Sequence, residues 1–329
     1  MTAPGTTVRP RVVATARSFC AQDGPHQQLL RDAGFDVVLS AGDEPLTAAE
    51  LARVAADADA LILGLDRCDA SVFAAAPRLR VVARYGVGTD TVDLDAAERH
   101  GVTVTNTPGA NTVAVAELAL GLMLALARDL PNAVAGTRAG GWRRSRGWEL
   151  AGKTLGLIGL GRIGRAVAAR ASAFGMHVIG YDPFAPEAAD VERVELERLW
   201  PRADVISLHL GLSEGTRHLI DEAVLRRCKP SAVIVNTARG GLIDEQALAD
   251  ALREGRLAGA AADAFEREPP TGSPLLELPT FLPTPHLGAT TREAVHHMGV
   301  TAAESVIAVF GGATPPHVVR APSTPRRTP

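Results

Sequence analysis

Short, almost wholly apolar runs alternate with helical spacing along most of this chain. Between residues 11 and 104 the runs are Val12-Val13-Ala14, Val37-Val38-Leu39, Leu61-Ile62-Leu63, Val81-Val82-Ala83 and Val102-Thr103-Val104. Stretches with helical apolar periodicity, such as residues 48–56, separate them. Strands that are apolar on both faces need cover on both, and parallel strands linked by helices supply it. The pattern predicts a first α/β domain.

The turn-forming segment Asn106-Thr107-Pro108-Gly109-Ala110-Asn111 interrupts the alternation. A long helix is predicted over residues 112–128. The polar, glycine-containing stretch 139–147, which includes Trp142, reads as a loop. From Lys153 a second alternation begins, with strands expected at Thr154–Ile158, His177–Tyr181, Val205–Leu208, 232–236 and Gly259–Ala262. A last helical pattern over residues 291–310 has no strand of that series left to cover, which predicts its return to the first domain. The expected organisation is one domain from residues 1–107 plus 290–320 and another from 108–289. Residues 321–329, with three prolines, two arginines and no large apolar side chain, read as a disordered tail.

Composition narrows the function classes. At 46% hydrophobic and 22% charged, with a net charge of −3, the chain has no basic field for nucleic acid or an anionic membrane. The longest apolar run, residues 118–127, is too short to span a bilayer. Cys20, Cys68 and Cys228 are odd in number, far apart and without metal-ligand spacing. They predict reduced thiols, no metal site and a cytoplasmic location. The start, Met1-Thr2-Ala3-Pro4-Gly5, has none of the features of a signal peptide.

The sharpest chemical signal is Gly159-Leu160-Gly161-Arg162-Ile163-Gly164, between a predicted strand and a helix expected over 163–173. In that context Gly159 allows the tight turn, Gly161 lets the backbone approach a pyrophosphate, and Gly164 lets helix and strand pack closely. The helix N-terminus offers free N–H groups to the phosphates, and Arg162 adds a cation. Asp182, 18 residues beyond Gly164, falls where a carboxylate meets the adenosine ribose, favouring NAD over NADP. Three further ionisable residues follow strand ends: Arg239, Glu268 and His286. A guanidinium fork suits a carboxylate or polarised carbonyl, and an imidazole suits proton transfer, with a carboxylate to orient it. Together they form a candidate set for moving a hydride and a proton on a small carbonyl acid. Asp263 and Glu266 lie in the same segment as Glu268, and Glu266 reads as surface charge.

At these residues the chain resembles the D-isomer-specific 2-hydroxyacid dehydrogenases, in particular their short, phosphoglycerate-dehydrogenase-like members. The likeness covers nearly all of residues 10–318. It is carried by Ala83-Arg84-Tyr85-Gly86-Val87-Gly88-Thr89-Asp90, the 106–111 turn, the segment 152–164, Asn236-Thr237-Ala238-Arg239-Gly240 and Thr284-Pro285-His286. The resemblance implies a flavodoxin-like substrate domain, built from both chain ends, hinged to a Rossmann domain of doubly wound parallel sheet. It implies that Arg239 binds the substrate's carboxylate and carbonyl, that His286 is the general acid/base, and that Glu268 is its partner. Asp263 would bind the nicotinamide carboxamide, with Ile163, His209, Thr237 and Gly288 among the cofactor contacts. Arg84, Tyr85, Gly86, Val87 and Gly88 would contact a small anionic substrate, the Gly86-Val87-Gly88 turn through its backbone N–H groups. A homodimer through the nucleotide domain is also implied.

Departures from the family pattern bear on the substrate. The chain has His209-Leu210-Gly211-Leu212 where the family often has His-x-Pro-Leu. The third strand ends Leu63-Gly64-Leu65-Asp66, with Arg67 displaced from the position of a phosphate-binding arginine, which argues against phosphoglycerate. Gln would stand at Glu268 in formate dehydrogenases. No regulatory domain follows the second alternation, so serine feedback is not expected. Two alternatives carry over. One is a phosphonate or phosphite dehydrogenase using Arg84, Arg239 and Arg143 or Arg144. The other is a non-catalytic NAD-sensing binding protein.

Overall fold

This computed structural model describes residues 9–322, apart from 22, 43 and 186–190. Of the tail expected to be disordered, residues 323–329 lie outside the described residues. The strands in chain order are β1 (Arg11–Ala14), β2 (Asp36–Leu39), β3 (Ala60–Leu63), β4 (Val81–Arg84), β5 (Thr103–Thr105), β6 (Thr154–Ile158) and β7 (His177–Tyr181). They continue with β8 (Glu192–Arg193), β9 (Val205–Leu208), β10 (Val233–Asn236), β11 (Gly259–Ala262), β12 (Phe281–Pro283) and β13 (Val318–Arg320). The chain divides into two compact units, residues 1–111 with 290–329, and residues 112–289.

The first unit carries a six-stranded sheet in the order β13-β5-β4-β3-β1-β2. Its first five strands are parallel in the flavodoxin-like order, and β13 closes the edge antiparallel to β5. All four residues of β3 and of β4 are buried, as two-sided cover requires, whereas edge strand β2 is half-exposed. Local chemistry sets the helix starts: in Thr47-Ala48-Ala49-Glu50 the Thr47 hydroxyl and Glu50 carboxylate cap each other's backbone N–H. The final helix, Arg292–Phe310, packs in this unit against the helix Pro25–Asp32 and β4. Gly299 makes the helix crossing close, since a Cβ there would lie 2.9 Å from His26 Cβ. Phe310 meets Phe35 edge-on at 5.2 Å and lies under the Arg80 guanidinium at 4.2 Å.

The second unit carries a seven-stranded, wholly parallel sheet in the order β12-β11-β10-β9-β6-β7-β8. Renumbered from β6, this is the Rossmann order extended by one strand, with the order reversing between β6 and β9. The helix Thr112–Ala127 is buried along much of its length and covers β10 and β11 beside the helix Arg162–Ala173. Among the described residues no helix is long and apolar enough to cross a membrane.

Candidate active site

In the second unit, the strand ends at the carboxyl edge of the sheet carry the predicted site residues. After β6 the chain turns at Gly159, whose φ of 94° favours glycine. A Cβ on Gly159 would lie 2.4 Å from His209 O, and one on Gly164 would lie 2.0 Å from Gly159 O. Both glycines are therefore required by close backbone approach. Gly161, the N-cap of the helix Arg162–Ala173, differs: a Cβ there would meet nothing within 4 Å. It lines an open cradle at a helix N-terminus, which fits a dinucleotide's pyrophosphate.

Asp182 follows β7 beside this loop. Its carboxylate accepts from Leu160 N at 2.8 Å, Phe184 N at 2.9 Å and Ala185 N at 3.0 Å. Burial would raise this carboxyl, but the three backbone donors and Arg193 outweigh it and hold the pKa below the usual value. A fixed negative charge thus stands at the end of β7. A cavity of about 440 Å³ opens beside it, lined by Tyr181, Asp182, Pro183, Arg193, Val194 and Arg198 among others.

His209 follows β9 and shares a 2.9 Å hydrogen bond between Nε2 and Ser207 Oγ. Its Nδ1 and the Thr237 hydroxyl after β10 are buried polar atoms without a partner among the described residues. Two such orphans on adjoining strand ends suit a polar ligand over the sheet edge. Burial pushes the His209 imidazole down to about 4 from 6.5. The ring is neutral in the folded protein at neutral pH, while the unfolded chain takes up a proton near 6.5. This contribution to stability is therefore intact above pH 6.5 and is lost as pH falls toward 4, by about 3 kcal/mol in all. Thermal unfolding across that window is expected to lose less stability in His209→Gln than in the wild type. Parallel pH profiles for the two proteins would refute this account of the ring.

Arg239 stands between β10 and the short turn Gly240–Leu242. The buried Asn236 side chain braces this loop, accepting from Ala238 N at 3.0 Å and donating to Arg239 O at 2.8 Å. A Cβ on Gly240 would lie 1.8 Å from Phe265 C, so the loops after β10 and β11 touch backbone to backbone.

Glu268 lies in the loop after β11. Its Oε1 accepts from Phe265 N at 3.1 Å, and its two oxygens lie 2.8 and 2.9 Å from His286 Nδ1. Both side chains are about one-quarter exposed. With Nδ1 held by the carboxylate, Nε2 is the ring nitrogen able to exchange a proton with a ligand. His286 adopts a left-handed φ of 51°, uncommon for a residue with a side chain. Asp263 holds that conformation in place. Its carboxylate, 2% exposed, accepts from Thr284 Oγ1 at 2.7 Å, Leu287 N at 2.9 Å and Gly288 N at 2.8 Å. Both Asp263 oxygens and the Gly288 N–H are thus engaged in bracing the His286 loop.

The first unit holds the other predicted contacts. Arg84 ends β4, is buried, and donates Nη1 to Tyr85 O. Gly86, at φ 138°, donates to Thr107 Oγ1 at 3.0 Å and accepts from Thr107 N at 2.9 Å. Asn106 Nδ2 holds Val87 O at 2.8 Å, leaving exposed Val87 and half-buried Gly88 on the surface of that loop. Tyr85 is buried instead: its ring meets Phe19 edge-on at 5.9 Å, its hydroxyl donates to Val295 O, and burial pushes its phenol up to about 12. Trp142 is 78% exposed. Sequence reasoning missed Asn236 and Thr284 as braces. The signal for Asn236 was a lone amide closing an apolar strand. Among the described residues no group of three or more His, Cys, Asp or Glu is arranged to hold a metal ion.

Comparisons with known proteins bear on the family and the fold. The sequence model described as D-isomer specific 2-hydroxyacid dehydrogenase, NAD binding domain, matches residues 120–288. The chain is 47% identical over 289 residues to a D-3-phosphoglycerate dehydrogenase of Methanocaldococcus jannaschii, covering 85% of this chain and 55% of that protein. It therefore spans about half the length of such relatives. It is 43% identical over 280 residues to a hydroxypyruvate reductase of Thermotoga maritima, covering 83% of this chain and 92% of that protein. A crystal structure of a protein from Thermus thermophilus superposes with a TM-score of 0.87 at 41% identity, over 94% of this chain and 99% of that one.

Proposed function

The chain belongs to the D-isomer-specific 2-hydroxyacid dehydrogenases, and on that premise we propose that it is an NAD-dependent oxidoreductase acting on C2 of a small 2-hydroxy or 2-keto acid. The observation that carries this reading is the Glu268–His286 pair, 2.8 Å apart, at the same sheet edge as the dinucleotide loop and Arg239.

When bound, NAD supplies or accepts the hydride. Gly159, Gly161, Arg162, Ile163 and Gly164 would hold its pyrophosphate, Asp182 its adenosine ribose, and His209, Thr237, Asp263 and Gly288 the remainder. The Asp182 charge, kept by its three backbone donors, repels a 2′-phosphate and selects NAD. His286 Nε2 gives a proton to the carbonyl oxygen during reduction and takes it back during oxidation. Glu268 fixes the ring's tautomer and stabilises the imidazolium that forms. The Arg239 fork binds the carboxylate and polarises the carbonyl. Arg84 and the backbone N–H groups of Val87 and Gly88 serve the carboxylate, and Gly86, its own N–H held by Thr107 Oγ1, shapes the turn. Tyr85, with its ring in the core, supports that loop from below.

NADH consumption measured across a panel of 2-keto acids, with phosphonates and NADPH as controls, tests the reading. Turnover of a short 2-keto acid with NADH well ahead of NADPH is the expected result. Turnover of phosphonates alone, or of nothing, rejects it.

The same reading carries a homodimer. The helix Leu130–Arg138 buries none of its residues, and Leu130 and Val134, one turn apart, are about half-exposed. These two side chains give the helix an exposed apolar stripe suited to a second copy. Sedimentation is expected to show a dimer that Val134→Glu converts to monomer; a wild-type monomer contradicts it. A cytoplasmic location accords with Cys20, Cys68 and Cys228 all being unpaired, and cell fractionation tests it.

A further inference from the structure

We propose that Glu266 is a positioning residue, whose carboxylate ties the loop of Glu268 to the loop of Arg239 and so sets the distance between the substrate clamp and the proton-transfer pair. This rests on the dehydrogenase reading above and adds to it a residue that touches neither substrate nor cofactor. In Phe265-Glu266-Arg267-Glu268 the residue reads as surface charge, and its side chain is 35% exposed. Its partners nevertheless come from two other segments of the second unit.

The first partner is the helix Glu245–Arg253, which follows Arg239 and the turn Gly240–Leu242. Glu266 N donates to Glu245 Oε1 at 2.8 Å, and Glu245 N donates to Glu266 Oε1 at 3.4 Å. Each glutamate thus accepts the other's backbone N–H. The Glu245 N–H lies in the first helical turn, where donors lack helical partners and the dipole favours a carboxylate. Glu245 Oε2 also accepts from Ser273 Oγ at 2.7 Å, which anchors the chain beyond Glu268. The second partner is His218, whose Nε2 lies 3.1 Å from Glu266 Oε1. Its segment runs beside the turn after Arg239: His218 N donates to Gly241 O at 2.8 Å and Ile220 N to Leu242 O at 3.0 Å. His218 has a left-handed φ of 50°, a conformation that persists only where the surroundings fix it.

The place of these bonds gives them their effect. A Cβ on Gly240 would lie 1.8 Å from Phe265 C and 2.2 Å from Glu266 N, so the two loops touch at Glu266 itself. Such a contact stops the loops from closing further and does nothing to stop them parting. The bonds on Glu266 resist parting. One residue earlier, Phe265 N donates to Glu268 Oε1 at 3.1 Å, and Glu268 holds His286 Nδ1. A shift of Glu266 therefore reaches the acid/base ring through the Phe265 N–H and the Glu268 carboxylate. Partly exposed polar pairs add little to global stability, so the loss of this one falls on the geometry of the site and leaves the fold in place.

The test measures kcat and KM for hydroxypyruvate with NADH, NADH affinity and thermal unfolding in the wild type, Glu266→Ala and Glu266→Gln. Glu266→Ala is expected to lower kcat about tenfold, part of the loss that a 1 Å misplacement causes. KM, NADH affinity and unfolding temperature are expected to move much less. Glu266→Gln keeps an oxygen to accept from Glu245 N and His218 Nε2, and is expected to recover most of kcat. His218→Asn, which the left-handed backbone tolerates, removes the other arm and is expected to lower kcat in the same direction; it carries the test should Glu266→Ala not fold. An unchanged kcat in either folded variant, Glu266→Ala or His218→Asn, overturns the proposal. A loss of kcat that Gln does not recover, matched by a fall in unfolding temperature, makes the role structural and overturns it too. Failure of the wild type to reduce any 2-keto acid rejects the dehydrogenase reading, and this proposal with it, a result distinct from the others.

Discussion

Replacing His286 with Asn is expected to lower kcat for 2-keto acid reduction by roughly 100- to 10,000-fold, the usual worth of a positioned general acid. Asn is the informative choice because the backbone at this position has a left-handed φ of 51°, which Asn tolerates better than most residues. Its amide can still donate to Glu268, whose oxygens sit 2.8 and 2.9 Å from Nδ1 in the native protein. What it cannot do is present a second, titratable nitrogen to the substrate. NADH affinity and the unfolding temperature are expected to stay near wild type, since the dinucleotide loop lies on β6 and the Asp263 brace is untouched. Steady-state kinetics, NADH fluorescence titration and thermal unfolding together separate a chemical defect from a structural one. Undiminished kcat removes His286 from the chemistry. Lost NADH binding makes its role structural.

Gly240→Ala is expected to cost about 3 kcal/mol of stability or more, at the upper end of overpacking effects. The added methyl would sit 1.8 Å from Phe265 C, and backbone cannot swing aside as a side chain can. Any relaxation that accommodates it separates the loop of Arg239 from the loop of Glu268. A displacement of about 1 Å between reacting groups costs on the order of 100-fold in rate, so kcat/KM should fall by at least that factor in whatever protein folds. Gly161→Ala supplies the contrast. Its Cβ would meet no protein atom within 4 Å, so the fold should be unaffected while NADH binding weakens. Denaturant titration and NADH titration of both variants check the pair. Equal stability of Gly240→Ala and the wild type contradicts the backbone contact.

These effects mark how far the sequence could be read. Strands buried on both faces, such as Val233–Asn236, announce themselves as unbroken apolar runs, and the dinucleotide loop is written in its glycine spacing. The weak edge strands are not legible in this way. β8 has two residues, β12 ends in proline, and β13 pairs antiparallel at the margin of a parallel sheet. Each is too short or too polar to carry a period. The candidate residues Arg239, Glu268 and His286 stood out because ionisable groups follow strand ends. What braces them did not stand out. Asp263 grips Thr284, Leu287 and Gly288 across more than 20 residues of sequence, and Glu266 meets His218 across 48. Side-chain contacts of that separation depend on how strands align, and no local pattern encodes them.

The most direct measurement is the reduction of hydroxypyruvate by NADH, followed by determination of the configuration of the glycerate formed. NADH consumption matched by D-glycerate is the expected result, a single enantiomer because Arg239 and His286 hold the substrate in one orientation, and the D form because the family is D-isomer specific. L-glycerate, or NADH left unconsumed with hydroxypyruvate and every other short 2-keto acid, would contradict it.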